Sequence, residues 1–513
     1  MPLTLKTPGV YIEEKNAFPN SIVALPTAVP AFIGYTEKAE LANGKSAVGK
    51  PIKINSISEY FNYYGGDIDA KFTLEETTED DYAVKVGEKS YKLTPAEKTQ
   101  GYLFNSLRLF YQNGGGSAYI ISVGTYADIA ENGIEPGKLA DSIELLKREQ
   151  EPTMLLIPDA LLLELDDYYS NVCAAMIKHC GTDMRSRVAL FDVYEGYKKF
   201  SPENQVIKTF RENIGNNTLD FGIAYYPWVH TTVIEATEIN YLNFADLGAL
   251  KTLLKEEATL SLPGEDEAVV SKRTEIEAEI DKMDAFEDDP DAARKINTAH
   301  QIIRGVSGVY KDLMKEIREQ RNLLPAAPAM AGVYTMVDNS RGVWKAPANV
   351  GLNSVIAPSV SITNEEQEDL NVTLTGKSVN AIRSFVGEGV KVWGARTLDG
   401  NSQDWRYINV RRTLIFIEQS VKAAAKAYVF EPNDSNTWLL LKGMLNNFLI
   451  NLWKQGALAG SSPGEAYNVQ VGLGATMTPV DILDGIMRIN VKVAITRPAE
   501  FIVITFQQKM QES

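Results

Sequence analysis

The 513-residue chain carries 51 basic and 67 acidic side chains, a formal charge of −16, with 23% charged and 44% hydrophobic residues. That balance repels phosphate backbones and anionic lipid and argues against a direct nucleic-acid partner, and no apolar run approaches the ~20 residues that a membrane-spanning helix needs, so no membrane insertion is expected. The length accommodates about two to four domains.

The first residues lack the charged-then-apolar pattern of a signal peptide, so the expectation is folding and assembly in the cytoplasm of the producing cell. Val10, Tyr11, Ile12 and Glu13 read as a short strand, and the polar, proline-containing stretch behind them leaves it no near neighbour in sequence. Residues 29–35 give a first interior strand, and Ser56 with Glu59 makes a capping box for a helix through Phe61. Residues 67–100 turn charged, with a hairpin around Gly87, and read as a surface insertion. A helix over 102–112 stops at Gly114, Gly115 and Gly116; the run lacks the Lys and Ser or Thr of a phosphate loop and reads as a turn. Apolar strands at 118–123, 153–158, 188–193 and 221–226 then alternate with helical segments at 138–147, 166–179 and 202–213. This predicts an α/β fold, a doubly wound sheet sandwiched by helices, with right-handed crossovers.

Residues 255–290 are crowded with acid and interrupted by Pro263, Gly264 and Pro290, the pattern of an exposed helical excursion unable to form its own core. One longer helix follows along Ile296, His300, Ile303, Tyr310, Leu313 and Ile317, and the proline-containing stretch 323–332 reads as a stiff linker. The organisation expected is an N-terminal arm (1–20), an α/β domain (21–66 and 101–325), a C-terminal core domain (326–500) and a C-terminal arm (501–513).

Beyond the linker, residues 390–393 read as a strand. A helix from Val410 is expected to bury Leu414, Ile417, Val421, Ala424 and Tyr428, and Pro432 ends it. A second helix, capped by Asp434 or Ser435, carries the stripe Trp438, Leu441, Leu445, Phe448 and Leu452. Arg411 and Arg412 near the first helix's start oppose the macrodipole by roughly a few tenths of a kcal/mol. They call for an acidic partner within the subunit or across an interface, unless they are simply solvated. Residues 487–495 alternate apolar with polar, a strand with one wet face, whereas Ile502, Val503, Ile504 and Thr505 lie in a segment apolar on both faces that needs neighbours.

At the carboxyl ends of the sheet strands stand Asp159, Asp192 and His230, which would serve as metal ligands or an acid–base set if they converged, and as helix caps and packing if they did not. Cys173, His179 and Cys180 cannot share a metal, since residues 179 and 180 cannot both face 173 on one helix; a buried helix is expected, as is a core role for His300. No HExxH, GxSxG, full Walker loop or GxGxxG occurs. The reading is no enzyme, no catalytic residue, no cofactor and no metal.

The stretches VWGARTL (392–398), NVRR (409–412), FEPN (430–433), GALAG (456–460), EAYNV (465–469) and RPAEF (497–501), with RGVWKAPAN (341–349) upstream and PGVYIEE (8–14) near the start, resemble the motifs of the contractile tail sheath family of phage tails, pyocins and extracellular injection systems. The resemblance implies a structural homo-oligomer, a helical sleeve around an inner tube protein with baseplate and terminal cap proteins at its ends. In such a sleeve, residues 10–13 and 502–505 exchange as strands between subunits, and contraction drives the tube through a target envelope. Without the resemblance, an α/β enzyme with a strand-end site or a non-contractile filament subunit stays open.

Overall fold

The computed structural model describes residues 22–79, 82–201, 205–284, 291–373 and 375–505. The chain forms two compact units, one of Pro26–Arg412 with the segment from Arg497, the other of Thr413–Thr496 with the stretch ending at Leu25.

The larger unit is built on a nine-stranded sheet. Edge to edge, its strands are Val350–Gly351, Gly389–Val392, Asn380–Phe385, Gly222–Tyr226, Val188–Asp192, Met154–Leu156, Pro30–Thr36, Ala118–Thr125 and Ile52–Ile54. From Asn380–Phe385 to Ala118–Thr125 the pairing is parallel, and the outermost strands pair antiparallel. Every residue of Pro30–Thr36, Val188–Asp192 and Gly222–Tyr226 is buried. Successive side chains point to opposite faces, so the sheet is covered on both sides, as the continuous apolar runs require. Asn380–Phe385 was not legible as part of this sheet: its half-polar sequence returns late in the chain to pair Asn380 with Tyr225.

Residues 323–332, expected as a linker, are instead core. Leu323–Leu324 pairs antiparallel with Val229–Thr231, and Ala327–Arg341 is a helix whose first turns are buried. Pro328 falls in that helix's first turn, where a missing N–H costs nothing, and the small residues serve close packing. At Gly332 a Cβ would stand 2.4 Å from the Phe110 carbonyl oxygen, so only glycine admits helix Leu103–Gln112 at that distance. The two compact units divide at Arg412/Thr413.

The charged insertion is a three-stranded sheet of Phe72–Thr77, Lys89–Pro95 and Val84–Val86, packed on helices Leu247–Ser261 and Gly308–Arg321. Gln320 Nε2 donates to the Leu93 carbonyl at 3.1 Å and Asn243 Nδ2 to the Ala70 carbonyl at 2.9 Å. Val84, Val86 and Leu93 are buried on one side of this contact, and Leu250, Leu254, Leu313 and Ile317 on the other. The insertion that read as a surface addition thus shares a core with the helices that flank the acidic stretch 255–290. Helix Glu267–Asp281 keeps the solvated character expected of it, burying only Ile280. The single long helix expected after it is two, Ala292–Val306 and Gly308–Arg321, broken at Ser307. Ser307 Oγ accepts from the Tyr310 N–H at 2.9 Å, and the Glu257 carboxylate accepts from the Gly308 and Val309 N–H groups at 3.0 Å, so the second helix is capped by its own serine and by a distant glutamate. Limited proteolysis should cut first in the exposed turn 263–266 and leave the fragments associated; a first cut inside the nine-stranded sheet, located by mass spectrometry, would contradict this packing.

In the smaller unit, helix Ser435–Lys454 is capped by Asp434, whose side chain accepts from the Thr437 N–H at 3.0 Å; of its predicted stripe it buries Leu441, Leu445, Phe448 and Leu452 and leaves Trp438 half-buried. Helix Ile408–Ala425, inside which the two units divide, departs from its predicted stripe. Its buried residues include Thr413, Ile415, Phe416, Ile417 and Ser420, while Leu414 and Val421 are half-buried. Cover on more than one side of its first half erases the simple period there.

Candidate intersubunit surface

Tyr467–Val471 and Ile489–Val493 form a two-stranded antiparallel sheet in the smaller unit, with Val469 opposite Val491. Beyond the paired strands the Ala494 N–H donates to the Ala466 carbonyl at 2.8 Å. In an antiparallel ladder hydrogen-bonded pairs alternate, so Lys492 and Asn490 face their partners while the N–H of Val491 points outward. Among the described residues no third strand joins this sheet, while just beyond Val493 an isolated antiparallel bridge pairs Leu458 with Ile495. A lone two-stranded ribbon is marginal in water, and this one leaves Ile489, Val491 and Val493 only half-buried. Its connecting segment exposes Leu473, Val480 and Leu483; Val429, Phe430, Leu439 and Leu440 are exposed elsewhere in the same unit.

In the larger unit, Phe501, Ile502, Val503 and Ile504 are 72%, 77%, 90% and 68% exposed and belong to no regular element. The base of this segment is fixed. The Glu500 carboxylate accepts from Arg396 Nη2 at 2.6 Å, Asn371 Nδ2 at 2.8 Å and Tyr407 Oη at 3.2 Å. Burial pushes Glu500 up, but Arg396 and Asn371 outweigh it and hold the carboxyl below its usual range. This anchor, with Arg396 from VWGARTL and Glu500 from RPAEF, was not foreseen from the sequence. Both residues were visible only as parts of separate motifs, and only the fold joins them.

The predicted strand at Val10, Tyr11, Ile12 and Glu13 lies outside the described residues. Arg411 and Arg412 are buried. Arg411 Nη1 donates to Asp220 at 3.0 Å, its guanidinium lying 4.5 Å from the Phe221 ring centre and 4.4 Å from that of Trp405. Arg412 donates to Asp338 at 2.6 and 3.1 Å and to the Thr27 carbonyl at 3.0 Å, over the Tyr334 ring at 4.4 Å. The acids that face these arginines come from this same chain, Asp338 buried and Asp220 partly exposed.

Asp159, Asp192 and His230 do not form a site. Asp159 Oδ1 accepts from the Tyr102 and Leu103 N–H groups at 2.7 and 2.9 Å, and Oδ2 from the Tyr35 N–H at 2.7 Å. Asp192 Oδ1 accepts from the Ala326 and Ala327 N–H groups at 2.8 and 2.9 Å. Each aspartate ties a helix start to the sheet, though not the helix that follows it in sequence. His230 sits in the strand Val229–Thr231, paired with Leu323 and Ala357. Among the described residues no group of three or more His, Cys, Asp or Glu could hold a metal. Cys173 and Cys180 are buried free thiols. His179 is drawn down to about 4 by burial and by Arg187, whose guanidinium is fully buried and donates to the Leu146 and Glu149 carbonyls. His300 is buried and bonded through Nδ1 to Tyr310 Oη at 2.8 Å.

Burial raises Asp159 to about 6 and Asp192 to about 7, against an ordinary 3.8. A carboxyl raised in the folded state favours folding while protonated, so its contribution is present below about pH 4 and is lost as pH rises through 6 to 7. Asp192→Asn keeps an oxygen for both N–H groups and should flatten that part of the stability profile, measured by urea unfolding at pH 5 and 8. Asp159→Asn should cost about 1–3 kcal/mol, because its amide N–H group would face the Tyr35 N–H. Equal behaviour of the two variants would contradict these roles.

Residues 401–509 match the model of the phage tail sheath C-terminal domain. The tail sheath protein of Burkholderia phage BcepMu is 29% identical over 143 residues, 27% of this chain, and the match spans 30% of that relative's length. The helical sheath of the anti-feeding prophage, solved in its contracted state, is 27% identical with a TM-score of 0.60 over 99% of this chain and 100% of that one. The baseplate structure of the same particle contains a chain 28% identical, TM-score 0.59, covering 99% and 100%. With a match to the sheath C-terminal domain over residues 401–509 and the fold of solved contractile-sheath chains along nearly its whole length, the chain is similar to the contractile tail sheath family.

Proposed function

We propose that this protein is the structural subunit of a contractile sheath, polymerising helically around an inner tube and contracting to drive the tube through a target envelope. The family is structural rather than enzymatic. The observation that carries the reading is the exposed apolar segment Phe501–Ile504 on its Glu500 anchor, in a chain that also carries a two-stranded sheet joined by no third strand among the described residues. An unpaired apolar strand and an unpaired edge are complementary. In separate copies they make a head-to-tail contact, which generates rings or helices rather than closed dimers. The strand expected at residues 10–13 and the exposed segment 502–505 are the two candidates to occupy such edges in neighbouring copies. Baseplate, terminal cap and inner tube proteins are the partners such a sleeve requires, within a phage tail or a released tail-like particle assembled in the producing cell. The work of contraction then comes from relaxation of one packing of the lattice to another of lower free energy, without a cofactor. Electron microscopy of particles purified with their tube tests this: rods of two lengths are expected, and rods of one fixed length under every treatment would leave a static filament.

A further inference from the structure

The geometry points to a binding site for a small, multiply charged oxyanion of the phosphate or sulfate type, in a cavity of about 230 Å³ beside the break between helices Ala292–Val306 and Gly308–Arg321. Arg304, Lys311, Lys315 and Arg318 line it, with Asp312 as the one carboxylate. Lys311, Lys315 and Arg318 stand at spacings of four and three, on one face of their helix. Arg304 comes from the helix before the break.

The concentration of positive charge runs against the rest of the chain, whose formal charge is −16. Several neighbouring cations have carboxylate partners: Lys251 with Asp284, Lys255 with Asp281, Lys282 with Glu279, Arg294 with Asp291. At the cavity, among the described residues, only Lys315 has one, Glu319 at 3.7 Å. Crowded like charges raise the energy of the empty site, and a bound anion relieves it. Guanidinium groups match oxyanion geometry with paired N–H donors, and lysines add point charges. His300, which also lines the cavity, is held below its ordinary value by burial and by Arg304, so it adds no counter-charge problem of its own. A long polyanion would meet a chain of formal charge −16, which favours a small ligand over nucleic acid.

The test is calorimetric titration of the full chain with inorganic tripolyphosphate at low salt. Anionic phospholipid vesicles and a peptide of residues 265–281, the acidic helix that a second copy would present, form separate arms. One saturable site for tripolyphosphate is expected, weakened as salt rises and weakened about tenfold or more by Arg304→Gln, Lys311→Gln and Arg318→Gln together, with these exposed side chains leaving the melting temperature unchanged. Absence of binding, or equal binding by the triple variant, would overturn the site. Binding of vesicles or of the peptide without tripolyphosphate would overturn the small-anion assignment in favour of a headgroup surface or a contact between copies. None of these outcomes depends on polymerisation, so the site can fail while the sheath reading stands.

Discussion

Deletion of residues 502–513 is expected to give a subunit that melts like the parent yet forms no rods in electron micrographs and sediments as a monomer. Ile502, Val503 and Ile504 are largely exposed in the subunit, so their removal takes little from its own stability. Added to a neighbour's sheet, the segment would gain about four backbone hydrogen bonds at roughly 1 kcal/mol net each. Burying two or three large apolar side chains adds about 1.5–3 kcal/mol each, against roughly 1–2 kcal/mol for ordering each of about five residues. One junction is marginal on those terms. A lattice of them is not, because each contact raises the effective concentration for the next. The acceptor can be tested separately: Val491→Pro removes an outward N–H without touching the ladder to Tyr467–Val471, and should block assembly in a folded chain. Full-length rods from either variant, or a truncated monomer with a badly lowered melting temperature, would sink the idea.

The second large effect is one of folding. Asp338→Ala should cost about 3–5 kcal/mol in urea unfolding, because it strands the Arg412 guanidinium in a buried site; the two side chains are 2% and 4% exposed. Arg412→Lys keeps the charge but loses the two-pronged contact to Asp338 and the stacking over Tyr334, so a substantial loss is expected there too. Buried pairs are screened little by salt, so the loss should hold across ionic strength. An Asp338→Ala variant that folds with parental stability and fails only in assembly, in a salt-dependent way, would move Arg412 back to a contact between subunits.

The two arginines illustrate how far local reading goes. Their place near a helix start demands an acid, and that demand is visible in NVRR itself. Which acid answers it is a question of which distant segments meet: Asp220 stands just before a sheet strand and Asp338 on the helix Ala327–Arg341. The same holds for Asp159 and Asp192. Their position after strands suggested caps, and they cap, but on helices brought to them by the sheet order rather than by the chain.

What the sequence determined by itself is whatever rests on period and on punctuation. The interior strands from 29 to 226 are apolar without interruption, and their alternation with helices specifies a covered parallel sheet. The stripe from Leu441 to Leu452 and the Asp434 cap define a helix, and the two-faced apolar run at 501–505 marks a segment that calls for neighbours. These are local properties, set by side-chain spacing and by which residues break it. The tertiary structure decided everything that depends on contacts distant in sequence. It took residues 323–332 from linker to core, because Gly332 permits a helix contact that composition cannot announce. It packed the 67–100 insertion on helices Leu247–Ser261 and Gly308–Arg321 and added Asn380–Phe385 to the sheet. It also fastened Glu500 to Arg396, so that the exposed apolar segment starts from a fixed point. The energy of such contacts lies in the pairing of surfaces, and no window along the chain contains both halves of a pair.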